Sequence, residues 1–397
     1  MTPSKRVLEL EESPTLAISA KARALREEGR DIIGFGAGEP DFDTPDNIKE
    51  AAIRAINDGE TKYTAVGGIN ELKDAIIDKF ENDNQALYSR DEILVSCGGK
   101  HSFYNLCQAL LDPDDEIIVA APFWVSYPSM IELAGGAPII VHTDDQNSFK
   151  MTADQFEVNI TPRTKAVVIN SPSNPTGATY TECELRDLVG VALANDLLII
   201  SDEIYEKLIY DSFNYKSVAS LSEEVKAKSI ILNGVSKTYA MTGWRIGYAA
   251  GPPELIKAMA KIQSQSTSNP TSISQWAAFE ALNGPQDAVT KMLVQFEKRR
   301  DAMVYQLNSI NDVQCLKPQG AFYAFPNISK FFGRGTLEKT INGSVDLADY
   351  LLEKAGVAVV PGAAFGNDSH IRLSFACSME QINEGIIRMA EALSKLR

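Results

Sequence analysis

Short runs rich in Ile, Val and Leu recur at residues 116–120, 138–142, 165–170, 197–201, 229–233 and 246–250. Each has the length of a strand, and amphipathic stretches lie between them. Residues 181–194, for instance, carry Leu185, Leu188, Val189 and Leu193 on one helical face. Apolar strands alternating with helices predict an α/β fold with a mostly parallel central sheet covered on both faces. Ligands of such sheets sit in loops at the carboxyl ends of the strands. After Pro285 the texture changes. A long helical pattern at 288–309 is followed by strand-like pieces at 321–326, 357–361 and 371–376, with helices expected at 345–355 and 379–395. We read residues 46–294 as a large domain, and residues 1–45 packing with 295–397 as a smaller α/β domain.

The loops after these runs hold residues with chemical potential. Ser236 and Lys237 follow the run at 229–233, inside NGVSKTYAMTGWRIGY. A lysine that bonds a carbonyl cofactor has to reach it from such a loop, with a hydroxyl (Ser236) and a cation (Arg245) near for a phosphate. A lone Ser-Lys pair is more often an exposed loop lysine, so this segment gains meaning only in company. Asp202 and Tyr205, in SDEIYEKL, follow the run at 197–201. A carboxylate there can keep a ring nitrogen protonated and the tyrosine can donate to a ring oxygen; a helix N-cap aspartate is the ordinary alternative. NSPSNPTG, residues 170–177, is either a plain turn or a turn that aims the Asn174 amide into a cleft, toward a phenolic oxygen or a substrate carboxylate. SCGGKHS, residues 96–102, stands before a helical pattern at 103–111, where free backbone N–H groups can cradle a phosphate. It lacks the spacing of a P-loop, and no strand–GxGxxG–helix unit occurs, so nucleotide binding fits poorly.

Composition narrows the field. With 53 acidic and 38 basic residues the net charge is −15, which argues against nucleic acid or an anionic membrane as partner. Apolar residues at 44% and charged residues at 23% are ordinary for a globular chain with a large core. The 5 cysteines are scattered, without a C-x-x-C pair, and only 3 histidines occur, so no metal site is expected. No apolar run reaches leader or membrane-span length, and a cytoplasmic protein is expected.

Taken together, GAGEPDFDTP, KYTAVGG, SCGGKHSFYN, PFWVSYP, SPSNPTG, SDEIYEKL, GVSKTYAMTGWRIGY, QGAFYAF and HIRLSFA, in this order, resemble the class I pyridoxal-phosphate (PLP) aminotransferases of fold-type I, in the aspartate aminotransferase branch typified by thermophilic bacteria. The resemblance implies PLP as cofactor, with Lys237 as the Schiff-base lysine. It implies Asp202 as partner of the pyridine nitrogen, Tyr205 and Asn174 as contacts of the phenolic oxygen, and Gly99, Lys100, Ser236 and Arg245 around the phosphate. Trp124 is similar to the aromatic stacked on the cofactor face. Arg372 resembles the fork for the substrate α-carboxylate, with Gly38 beside it. Lys100, helped by Thr15, matches the position that meets a distal carboxylate. Tyr63 resembles the tyrosine that reaches the neighbouring subunit's phosphate, implying a homodimer with shared sites. The implied reaction moves the amino group of aspartate or glutamate to 2-oxoglutarate or oxaloacetate in ping-pong fashion. Aromatic, alanine, kynurenine or prephenate aminotransferases and C–S lyases share the scaffold, although acidic Glu11 stands where prephenate-active relatives often carry a base. A non-catalytic PLP-binding effector module is the distant alternative.

Overall fold

The computed structural model describes residues 2–8, 10, 14–336 and 340–397, with the backbone alone at 14–17 and 19. Its strands in chain order are β1 (Ile33–Gly34), β2 (Ile93–Ser96), β3 (Glu116–Ala121), β4 (Ala137–His142), β5 (Thr164–Asn170), β6 (Leu198–Asp202), β7 (Ser229–Gly234), β8 (Gly247–Ala250), β9 (Tyr323–Ala324), β10 (Val357–Ala358), β11 (Val360–Pro361) and β12 (Ile371–Ser374). Among the described residues, seven of them form one sheet in the order β2-β8-β7-β6-β5-β3-β4. Its pairs from β4 to β7 are parallel, and β8 runs antiparallel to both β7 and β2.

The expected α/β architecture is therefore present, and its cause is visible in the runs themselves. Ile117–Val119, Val167–Ile169, Ile199–Ile200 and Ile230–Ile231 are all buried, because helices cover both faces of the sheet. The helix Glu182–Ala194 shows how the covering layer is specified. Thr181 and Glu184 form a capping box at its start, and Leu185, Leu188, Val189 and Ala192 turn inward. Each leucine so buried contributes about 2 kcal/mol.

Several elements differ from the reading of the sequence. Strand β2 was not anticipated, because Ile93–Ser96 is only four residues long and offers little period to read. The helix expected from residue 103 begins at Gly99, inside the glycine-rich motif. The run 321–326 gives only the two-residue β9; Phe322 and Phe325 are apolar because they pack in cores, not because they extend a ladder. The run 357–361 divides into β10 and β11, and the helix expected at 345–355 is Ser344–Tyr350 closed by a π-turn, Leu351–Ala355.

The amino-terminal segment is stitched to the carboxyl-terminal one. β1 lies parallel to β10, Phe35 N–H donates to Ala358 O at 2.8 Å, and Ser374 N–H donates to Phe35 O at 2.7 Å. One core joins Ile33 and Phe35 to Phe296, Phe322, Leu351 and Ile371, and it also takes in Tyr205, Leu208 and Tyr210 from the loop after β6. That core runs beneath the carboxyl ends of the large sheet, where the site lies.

Candidate active site

The loops leaving the carboxyl ends of β2, β3, β5, β6 and β7 open on one cavity of about 700 Å³. Gly38, Gly99, Lys100, Trp124, Asn174, Asp202, Tyr205, Ser236, Lys237, Arg245 and Arg372 all line it. Tyr63 does not; it is 91% exposed on the surface. The side chain of Thr15, and Glu11 entirely, lie outside the described residues.

Lys237 stands in the turn after β7, and its Nζ donates to the carbonyl of Gly38 at 2.5 Å. Burial, reinforced by Arg372 and Arg245, draws its ammonium down from 10.5 to about 8, against the opposing pull of Glu39 and Asp202. Asp202 is the last residue of β6, and no helix starts there, which removes the N-cap alternative. Its Oδ2 accepts from the Tyr127 hydroxyl at 2.6 Å and its Oδ1 from Ile204 N–H at 3.2 Å. Burial raises its pKa, while those two bonds and Lys237 oppose the rise. A carboxylate so placed is poised to take a cationic partner.

A third wall is cationic. Arg372, on β12 opposite Val360 of β11, is 3% exposed. Its Nη1 donates to Asn174 Oδ1 at 2.9 Å and its Nη2 to Gly36 O at 2.8 Å, both uncharged acceptors. The guanidinium lies over the rings of Tyr323 and Phe365, and its buried Nε has no partner among the described residues. Such an uncompensated buried cation with a spare donor is fitted to an incoming carboxylate. Lys100 adds a second positive charge, its Nζ 5.2 Å from the Trp124 ring centroid; burial and then Arg245 lower its pKa.

The anion cradle is built by missing side chains. Gly98, at φ +94°, caps the helix Gly99–Leu110, and a Cβ there would run into the guanidinium of Arg245. A Cβ on Gly247 would strike the backbone of Gly98 and Gly99. Gly99 and Lys100 open the helix, where N–H groups have no intrahelical acceptor. Arg245 is held at the cradle by bonds to Thr242 O (2.8 Å) and Cys97 O (3.3 Å), and Ser236 brings its hydroxyl to the same cavity.

Sequence reasoning missed three contributors. Tyr127 supports Asp202, Tyr323 bonds Tyr205 hydroxyl to hydroxyl at 2.8 Å, and Asn170 accepts from Asn174 N–H at 2.9 Å while donating to Asp202 O at 3.1 Å. Tyr127 and Tyr323 lie inside PFWVSYP and QGAFYAF, so aromatic residues in motif blocks were the available signal.

PLP asks for an anion cradle, a carboxylate for its ring nitrogen and an amine for its aldehyde. One cavity holds all three, and the cradle that a Cβ would fill is the observation that most closely matches a phosphate. These residues fit the cofactor.

Residues 30–389 match the family described as aminotransferase class I and II. The chain is 51% identical over 387 residues, 97% of each chain, to an aspartate aminotransferase of Bacillus sp. strain YM-2. It is 50% identical over 398 residues to the aspartate/prephenate aminotransferase of Nitrosomonas europaea, covering 99% of this chain and 100% of the other. The solved aspartate aminotransferase of Rhizobium meliloti superposes with a TM-score of 0.97 at 46% identity, covering 100% of both chains. With that site and these relatives, the chain belongs to the class I and II aminotransferases and is an enzyme that moves amino groups between amino acids and oxo acids with pyridoxal phosphate.

Proposed function

We propose that the enzyme transfers the amino group of aspartate or glutamate to 2-oxoglutarate or oxaloacetate. The observation that carries this reading is the pairing, in one cavity, of the Lys237 amine with two separate cations, Arg372 and Lys100, which suits a substrate bearing two carboxylates. The names of the relatives in Bacillus sp. YM-2 and Rhizobium meliloti support it. Arg372 grips the α-carboxylate in its plane, using the Nε that has no partner among the described residues. Lys100, with Thr15, meets the distal carboxylate.

Asp202 and Tyr205 hold the cofactor's ring nitrogen and phenolic oxygen, Asn174 adds its amide, Trp124 covers the ring face, and Gly99, Lys100, Ser236 and Arg245 hold the phosphate. When bound, the cofactor supplies an electron sink for the pair released at the substrate α-carbon. Lys237, its amine drawn down to about 8, takes the α-proton on Nζ when neutral, a form that gains population as pH rises through 8. Asp202 keeps its negative charge opposite the ring nitrogen, and Arg372 stops the substrate from turning. Adding one amino acid at a time to the yellow cofactor-loaded enzyme and following loss of the visible band tests the substrate. Aspartate and glutamate are expected to bleach it; strong bleaching by phenylalanine or alanine with little by aspartate overturns the reading.

A second reading adds prephenate as acceptor, favoured by the name of the Nitrosomonas relative. Amination of prephenate by the aspartate-reduced enzyme decides it.

The exposed Tyr63, with Ile53 and Ile56 exposed near it in sequence, supports a homodimer in which Tyr63 reaches the partner's phosphate site. The division into domains 46–294 and 1–45 with 295–397 is supported by the shared core of the two terminal segments. Among the described residues no helix is long and apolar enough to cross a membrane. The five cysteines are free, which suits the reducing cytoplasm.

A further inference from the structure

The hydroxyl of Tyr323 stands 2.8 Å from that of Tyr205, and both residues are buried, at 1% and 2% exposure. The Tyr323 ring lies 4.5 Å below the Arg372 guanidinium and meets the Tyr205 ring edge-on at 82°. A Cβ on Gly38, whose carbonyl accepts from Lys237, would come within 3.3 Å of the Tyr323 oxygen. Tyr323 therefore adjoins the phenol, the arginine and the backbone that holds the lysine.

Two hydroxyls at this distance share one hydrogen bond, so one donates and the other accepts. A cation over a phenol stabilises negative charge on it and makes it the stronger donor. The ring beneath the cation is that of Tyr323. When Tyr323 donates, the oxygen of Tyr205 is the acceptor, and the single proton of Tyr205 has to point elsewhere. A hydroxyl that accepts in this way also becomes a stronger donor itself.

We propose that Tyr323 is a positioning residue that donates to Tyr205 and thereby turns the Tyr205 proton toward the phenolic oxygen of the bound cofactor. This rests on the role given to Tyr205 above. Among the described residues Arg372 and Asp202 are the charged groups that act on the pair, and Lys237, Glu39, Lys100, Arg245 and Arg26 line the same cavity.

Tyr323→Phe keeps the ring under Arg372 and removes only the hydroxyl. The visible spectrum of the loaded enzyme reports whether the nitrogen joined to the cofactor carries a proton, and a bond donated to the phenolic oxygen favours the form without it. Losing that bond raises the midpoint of the spectral pH titration. Tyr205→Phe is expected to raise it by about one unit, Tyr323→Phe by about half a unit, and the double variant no further than Tyr205→Phe alone. The titration sees only protein that has bound cofactor, so poor folding lowers its amplitude and leaves its midpoint in place. A Tyr323→Phe midpoint equal to the parent's, or a shift that adds in full to that of Tyr205→Phe, overturns the inference and leaves the role of Tyr205 standing. An unmoved midpoint in Tyr205→Phe overturns both.

Discussion

Asn174 Oδ1 accepts a hydrogen bond from Arg372 Nη1 at 2.9 Å, joining the turn after β5 to β12 across 198 residues of sequence. The bond keeps the arginine neutral-partnered and therefore hungry for a carboxylate. Asn174→Asp would place a competing charge there. KM for aspartate is expected to rise roughly ten- to a hundredfold, the worth of a charge-assisted bond. An unchanged KM in steady-state kinetics would place the substrate carboxylate elsewhere.

Lys237→Ala is expected to lower kcat by at least about 10⁴-fold and to leave no cofactor covalently fixed to the protein after borohydride reduction. Lys237→Arg, which keeps a cation and loses the free amine, should be equally inactive. Appreciable turnover by either variant removes Lys237 from the chemistry.

The amine of Lys237 should also reveal its environment through pH. Burial and Arg372 depress it to about 8 from 10.5, so its neutral, reactive form gains population as pH rises through 8 and not through 10. The rate at which cofactor-free enzyme captures the aldehyde of PLP is expected to climb with a midpoint near pH 8. A midpoint above pH 10 in stopped-flow absorbance would mean that the amine is solvated.

Much of this could be read from the chain alone, and the reason differs by region. Asp202 and Lys237 were legible because each follows an apolar run buried on both faces, and a parallel sheet delivers such positions to one edge. Arg372 and Gly38 were reached only through resemblance: the run 371–376 announces β12, but apolar patterning does not say which cavity its one cation enters, and Gly38 follows a strand of only two residues. Tyr127 and Tyr323 escaped altogether. Their work is done through hydroxyls facing Asp202 and Tyr205, residues far off in sequence, and apolar patterning does not record where a hydroxyl points.

Gly98→Ala tests the cradle. At φ +94° and ψ 160° the backbone occupies a region almost reserved for glycine, and the methyl would press on Arg245. The substitution is expected to cost about 1–3 kcal/mol of stability and to weaken PLP binding at least tenfold. Fluorescence titration of cofactor-free enzyme with PLP checks it; an unaltered Kd would place the phosphate elsewhere.

Glu203, next to Asp202, turns to Ser201, Ser217 and Val218 N–H, all bonded to its Oε1 at 2.9–3.0 Å. Burial, with Glu206 adding, raises its carboxyl from 4.5 to about 7. The folded state thus holds this proton more tightly than the unfolded chain. The stability it contributes is complete below about pH 4.5 and is lost as pH rises through 7. Glu203→Gln, permanently neutral, is expected to raise Tm over the parent at pH 8 and to change it little at pH 5. Equal shifts at both pH values in calorimetry would sink this account.

The stitching of Phe35 and Gly36 to β10 and β12 sets an order of assembly. A chain leaving the ribosome amino end first finishes the sheet bearing Asp202 and Lys237 while residues 357–374 are still unmade. Until those residues arrive, Phe35 lacks both of its backbone partners and Gly36 lacks its arginine. The nascent protein therefore completes the strands that carry Asp202 and lead to Lys237 before it owns the arginine proposed to grip an amino acid's α-carboxylate.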